Sequence, residues 1–282
     1  MGMPFEGSPP PAIPASVEMQ EARLGRGTYT DDTQMMIALA ECLAERGAVV
    51  DEDLGPRFLR HYEPGRGYGA GTLEVFSLWR RGVPVGEAAG RLFDGEGSLG
   101  NGAAMRIAPV AVRFAGDPER LMREARRSAR LTHAHPLGID AAVVQATAIA
   151  AAARGEDPLA HALAAADSNV MRVALGRARR LLDDAPVPAR AAAQLGNSSS
   201  GPESVPVAIY AVCANDGFEG AVRFAIRCGG DTDTIGAMAG AIAGAREGAS
   251  SIPPRWLDAL EDGPRGRRYV VELAAALASA AG

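Results

Sequence analysis

Two short stretches, far apart in the chain, carry the same chemistry. Thr30-Asp31-Asp32-Thr33 lies early and Gly229-Gly230-Asp231-Thr232-Asp233-Thr234 lies late. Each puts two carboxylates and neighbouring hydroxyls in front of a helical pattern. The first pattern is Gln34 to Arg46, with Met36, Leu39 or Ala40, and Leu43 at helical spacing; the second is Ile235 to Ala245. Asp and Thr are good N-caps, and acids near a helix start favour the macrodipole. Capping uses one acceptor per helix, however, and each start offers two carboxylates. Four carboxylates with hydroxyls and no His nearby make an all-oxygen set, which suits Mg²⁺, Mn²⁺ or Ca²⁺ rather than Zn²⁺. If the two starts face each other, a metal centre ties the early chain to the late chain.

Three further stretches bear on the same chemistry. Gly95-Glu96-Gly97-Ser98-Leu99-Gly100-Asn101-Gly102-Ala103-Ala104-Met105-Arg106 has the spacing of a dinucleotide fingerprint. A Rossmann site is excluded, because Glu87 to Asp94 before it reads as helical and no βαβ unit follows. The run is then either a connector or an anion cradle, since a Gly-rich turn entering a helix points free N–H groups outward. Thr132-His133-Ala134-His135-Pro136 holds two histidines two apart. No carboxylate or Cys stands at matching spacing, so this pair is not a metal site. His135 reads as a surface or capping residue, and His61 and His161 as structural. Glu6, within Gly2-Met3-Pro4-Phe5-Glu6-Gly7, is by its residue type alone one acid in a loop.

Taken in order, these stretches resemble the ADP-ribosylglycohydrolase family, which includes the enzyme that reactivates ADP-ribosylated dinitrogenase reductase. The resemblance rests on the two Thr/Asp motifs and covers nearly the whole chain. It implies an all-α orthogonal bundle. It also implies two Mg²⁺ ions, with Mn²⁺ as a substitute, held by Thr30, Asp31, Asp32, Asp231, Asp233 and Thr234. The Gly-Asn-Gly-x-x-Met-Arg run is similar to the family's ADP-ribose loop. By that likeness Gly97, Ser98, Gly100, Asn101 and Gly102 face the diphosphate and ribose, and Phe93 lies near the adenine. Leu99 departs from relatives that place an aromatic ring there. His133 falls on the substrate side. Glu6 matches the Glu of a Gly-Met-Pro-x-Glu-like run at the metal edge. The implied reaction is hydrolysis of the bond between ADP-ribose and a protein side chain or a related conjugate. Glu6, Asp31, Asp32 and Asp231 are then the catalytic candidates. A two-metal phosphate-ester hydrolase and a non-catalytic crystallin-like member are the alternatives. The family also has an apolar helix upstream of the Gly-Met-Pro-x-Glu-like run. Its absence here leads us to expect a natural start upstream of Met1, an apolar trough beside the early or the late helix, and a Glu6 poorly held so close to a free end.

The elements that must position these residues are helical. The expected helices are Thr33–Glu45, Asp51–His61, Gly69–Arg81, Pro118–Leu131, Pro136–Ala153, Pro158–Ala166, Val170–Asp183, Val205–Cys213, Phe218–Cys228, Pro254–Leu260 and Arg268–Ala280, beside the late helix. Gly86 to Phe93 reads as a brief turn, and Asn101 to Phe114 as a helix kinked or broken by Pro109. Residues Met1 to Gly27, with five prolines, read as irregular, and Gly196 to Pro202 as a flexible loop. No run alternates clearly enough to be a strand. We expect one all-α domain of a dozen or so helices over residues 1–282. Gly236, Gly240 and Gly244 share one helix face, which predicts close approach by another helix.

Composition narrows the function classes. The net charge is −5 and basic runs such as Arg177-Ala178-Arg179-Arg180 are short, so no nucleic-acid surface is expected. Cys42, Cys213 and Cys228 are sparse and lack metal spacing, which fits a reducing compartment. No secretory leader is evident, and no apolar stretch reads as reaching the roughly 18 residues of a membrane span. The expectation is a cytoplasmic protein without a membrane partner, acting on an ADP-ribosylated protein or a small ADP-ribose conjugate.

Overall fold

Proline opens helix after helix in this chain. Its fixed φ suits the first turn, where its missing N–H would have no intrahelical partner. In the computed structural model, which describes residues 1–279, Pro118, Pro136, Pro158, Pro188, Pro202 and Pro254 all sit in first turns. Asp117, Asp157 and Ser168 add side-chain caps to the helices that follow them.

The early helices are α1 (Asp31–Arg46), α2 (Asp51–His61), α3 (Ala70–Arg80) and α4 (Val85–Ala88). Two short helices follow, α5 (Gly102–Met105) and α6 (Ala108–Arg113). The chain breaks between them and restarts with Pro109 in the first turn of α6. Then come α7 (Pro118–Arg130), α8 (Pro136–Ala153), α9 (Pro158–Ala165) and α10 (Asn169–Leu181). The late helices are α11 (Pro188–Leu195), α12 (Gly201–Cys213), α13 (Phe218–Arg227), α14 (Thr232–Glu247), α15 (Pro254–Leu257) and α16 (Arg267–Ser279). The fold is an all-α orthogonal bundle with no strand among the described residues; its one isolated bridge pairs Gly100 with Ser200. Short 3₁₀ turns at Met3–Phe5 and Pro10–Ala12 punctuate the otherwise irregular first residues.

The core is built on alanine. Helix α8 is apolar on nearly every face and packs against α7, α9, α12 and α14. Small side chains let these helices approach closely, which is how a chain with 5% aromatics fills its interior. One hydrophobic cluster runs from Met35 of α1 to Leu277 of α16.

Four sequence expectations need correction. Helix α8 spans 18 residues at mean hydropathy 1.4, so one helix is long and apolar enough to cross a membrane; 72% of that window is buried inside the protein. Helix α11 was not expected, because Ala191 and Leu195 are its only buried residues and leave little periodic signal. Helix α12 starts at Gly201, inside the stretch read as a flexible loop. The glycine face of α14 meets α13 closely, as its spacing predicts, though the fit is tight at one glycine only. A Cβ on Gly236 would stand 3.1 Å from Ile226, but one on Gly240 or Gly244 would stand 3.7 Å from Val222 or Phe218, an ordinary contact. The first residues are also better held than a free end suggests, as the site shows. An apolar trough of about 730 Å³ does run beside α14, lined by Met36, Val222, Gly240, Gly244, Trp256 and Val270, with Asp32 and Asp233 at its polar end.

Candidate active site

Neither Thr/Asp start caps its helix with a side chain. Thr30 is the N-cap of α1, but its hydroxyl donates to Asp32 Oδ2 at 2.6 Å. Asp231 is the N-cap of α14, and its Oδ2 instead accepts from Asn101 Nδ2 at 2.7 Å. The carboxylates are therefore free for other work, and the fold brings the two pairs together. Burial raises the pKa of Asp31, with the charges of Asp233, Asp231 and Glu6 adding to it. Burial also raises Asp32, helped by Asp31 and Asp231, and raises Asp233, helped by Asp32, Asp231 and Glu6. Asp32 is 2% exposed, and its Oδ1, like that of Asp233, is buried with no hydrogen-bond partner. The side chains converge without closing: among the described residues no three acidic, imidazole or thiol groups stand as a ready metal shell. Repulsion between like charges opposes closer approach.

A double-glycine turn presents the late pair. Gly229 and Gly230 lie at φ 72° and 68°, where side-chain-bearing residues are strained. A Cβ on Gly230 would also come within 2.1 Å of the Asn197 carbonyl. That close approach lets Asp231 N–H donate to Asn197 O at 2.8 Å, while Asn197 Nδ2 donates to Cys228 O at 2.8 Å. The segment 197–201 is thus an ordered strap. It also pairs with the glycine loop: Asn101 N–H donates to Ser199 O at 2.9 Å and Gly201 N–H to Leu99 O at 3.0 Å. Asn197 and Ser199 were not singled out in the sequence, since Asn and Ser in a loop carry no distinctive spacing.

The N-terminal segment docks on the same turn. Thr232 Oγ1 donates to Gly2 O at 2.9 Å, and Gly7 N–H donates to Gly230 O at 2.8 Å. Gly2 must be glycine here, because a Cβ would lie 2.3 Å from Thr232 O. Glu6 is exposed, yet its charge reaches both Asp31 and Asp233. Its backbone anchorage corrects the expectation that it would be poorly held. Thr234 is buried at the first turn of α14, and its hydroxyl has no partner among the described residues.

The glycine loop lies against the histidine segment. A Cβ on Gly97 would meet His135 N at 2.6 Å, so this glycine permits packing rather than reaching outward. Ser98 Oγ accepts from Gly100 N–H at 3.1 Å, which turns it toward the loop's own backbone. Gly100 and Gly102 leave space beside His133: Cβ atoms there would stand 3.4 Å and 3.1 Å from its Nε2. His133 is buried, and burial with the nearby Arg106 charge pushes its pKa down to about 3, so the ring is neutral. His135 caps α8 through Nδ1, which accepts from Leu137 N–H at 3.1 Å. Phe93 is 60% exposed and left-handed, as is Asp94, with φ of 52° and 57°. Two consecutive strained residues store of order 1–3 kcal/mol each, and such strain clusters at functional sites.

Comparison with known proteins agrees with this geometry. A family model described as ADP-ribosylglycohydrolase matches residues 1–282. The ADP-ribosylhydrolase ARH3 of Homo sapiens is 36% identical over 291 residues, spanning 90% of this chain and 78% of that protein. The ADP-ribosyl-[dinitrogen reductase] glycohydrolase of Rhodospirillum rubrum is 29% identical over 247 residues, spanning 85% and 76%. A solved structure titled ADP-ribosylglycohydrolase-related protein complex superposes with a TM-score of 0.80 at 32% identity, covering 100% of this chain and 93% of that one.

Proposed function

Because this chain belongs to the ADP-ribosylglycohydrolase family, we propose that it hydrolyses the glycosidic bond between ADP-ribose and a modified protein side chain, or a related ADP-ribose conjugate, with two divalent cations. One observation carries the reading. The acid cluster and the glycine loop are a single site, joined by Asn101 Nδ2 donating to Asp231 Oδ2 at 2.7 Å. A ligand on that loop therefore has its far end at the carboxylates.

The donor set fits Mg²⁺, with Mn²⁺ as a substitute. All candidate ligands are oxygens, from Thr30, Asp31, Asp32, Asp231, Asp233 and Thr234. Two of them, Asp32 Oδ1 and Asp233 Oδ1, are buried without partners, a costly arrangement that a cation would relieve. Bound there, the cations would supply Lewis acidity and orient the sugar hydroxyls and the attacking water.

The chain's own groups do the rest. The backbone N–H groups of Ser98, Leu99 and Gly102, which find no partner among the described residues, hold the diphosphate and ribose beside Asn101. Phe93 lies at the exposed rim as an apolar face for the adenine. His133 contributes a neutral ring to the wall. Held at both ends, the conjugate presents its anomeric carbon to the cluster. Cleavage there passes through an oxocarbenium-like state, which the negative cluster stabilises. A carboxylate, Glu6 or one of the aspartates, takes the proton of the attacking water. The test is a panel of ADP-ribosylated substrates with Mg²⁺, Mn²⁺ or EDTA. Release of free ADP-ribose that EDTA abolishes is the expected result. Release of inorganic phosphate, or no release from any conjugate, would overturn the reading.

A further inference from the structure

Behind His133 lies a buried hydrogen-bond chain that the mechanism above does not use. Arg106 is 0% exposed and stacks over the Phe58 ring. Burial pushes its pKa down to about 9, which still leaves it charged at neutral pH. It has donors only. Its Nη2 donates to Ser128 O at 2.7 Å, and its Nη1 donates to Thr132 Oγ1 at 2.8 Å. That hydroxyl lies 2.7 Å from His133 Nδ1. The other ring nitrogen, Nε2, faces the space beside Gly100 and Gly102 and has no partner among the described residues.

We propose that Arg106 and Thr132 are positioning residues that fix His133 as the Nε2–H tautomer, making it a constant donor to an oxygen of the ligand on the glycine loop. The identity of that ligand rests on the reading given above; the tautomer does not. The reasoning follows from proton counting. Thr132 Oγ1 already receives a proton from Arg106, so its own proton must go elsewhere. His133 Nδ1 is the one acceptor that meets it. If Nδ1 instead carried a proton, the threonine proton would be buried without an acceptor, and buried polar groups are rarely left so. The neighbouring guanidinium opposes a second proton on the ring. What remains is a neutral imidazole with Nδ1 accepting and Nε2–H aimed at the loop. Such a group can only donate there, so it selects an acceptor, a phosphate or ribose oxygen.

The test is long-range ¹H–¹⁵N correlation on histidine-labelled protein, with the His133 signals assigned by their loss in His133→Gln. In the wild type Nε2 should read as protonated and Nδ1 as bare, unchanged across the neutral range. Thr132→Val should mix the tautomers and weaken ADP-ribose binding about tenfold, the equivalent of about 1.4 kcal/mol. Thr132→Ser, which keeps the hydroxyl, should restore both. Arg106→Met should shift the population toward Nδ1–H. A protonated Nδ1 in the wild type, or a pure Nε2–H tautomer in Thr132→Val, would overturn the proposal. If Thr132→Val or Arg106→Met does not fold, the wild-type and Thr132→Ser spectra still decide it. A correct tautomer in a protein that binds no ADP-ribose would spare this relay and sink the functional reading instead.

Discussion

The helix starts of α1 and α14 carry nearly the same letters and are embedded quite differently. At α1 the pair is sunk in the protein: both Asp31 and Asp32 are buried, and the local bond is internal, from Thr30 to Asp32. At α14 the pair is half-buried, and the start bonds to three distant segments. The glycine loop reaches it through Asn101, the strap through Asn197, and the N-terminal segment through Gly2, Gly7 and Ser8. The difference comes from Gly229 and Gly230, whose left-handed turn lets other backbones come close. The early start supplies charge; the late start also assembles the site around that charge.

The widest gap between the two should appear in kinetics. Asp32→Asn and Asp231→Asn should each lower turnover by about a thousandfold, near 4 kcal/mol of transition-state stabilisation. Asp32→Asn should act mainly on kcat. Asp231→Asn should also raise KM, because its carboxylate holds Asn101. Equal KM for the two variants would erase the distinction, and near-normal turnover in either would remove that residue from the chemistry.

Next in size is the response to cations and pH. Asp31, Asp32 and Asp233 have raised pKa values in the fold, against about 3.9 in an unfolded chain. In the window between, the native state binds more protons, so stability falls as pH rises. Chelator-treated protein should melt lower near pH 8 than near pH 5. Mg²⁺ at about 100 times its dissociation constant should add about 2.7 kcal/mol. Asp233→Asn should flatten the pH slope. A melting temperature that climbs with pH in chelator, or a slope that Asp233→Asn leaves intact, would mean that the charges do not share one centre.

Gly230→Ala tests the turn itself. Its Cβ would clash with Asn197 O at a positive φ, so we expect a loss of about 1–3 kcal/mol in denaturant melts. Unchanged stability would make the turn incidental. The smallest effect lies farther along α14. Gly240→Ala meets only ordinary contacts and should stabilise by about 0.5–1 kcal/mol, through helix propensity. Destabilisation would show that the trough beside it needs that space.

Local signals in the chain were enough for most of this architecture. Prolines and capping residues marked the helix starts, and α2 and α8 ran over the residues that their patterns predicted. The two Thr/Asp motifs stood out because paired acids exceed what capping needs. Residue type and spacing act within a few positions, and these features are all local. The strap, the docking of Gly2 and Gly7, and the Arg106–Thr132–His133 chain were not legible in that way. Asn197 lies 34 residues from Asp231, and Arg106 lies 26 from Thr132, with nothing between them that records contact. Which helix the glycine face of α14 meets, and that it also borders a trough, was likewise open in the letters, since a missing side chain serves both. Only the packed helices decided these points, because burial and proton sharing depend on which distant groups are brought within hydrogen-bond reach.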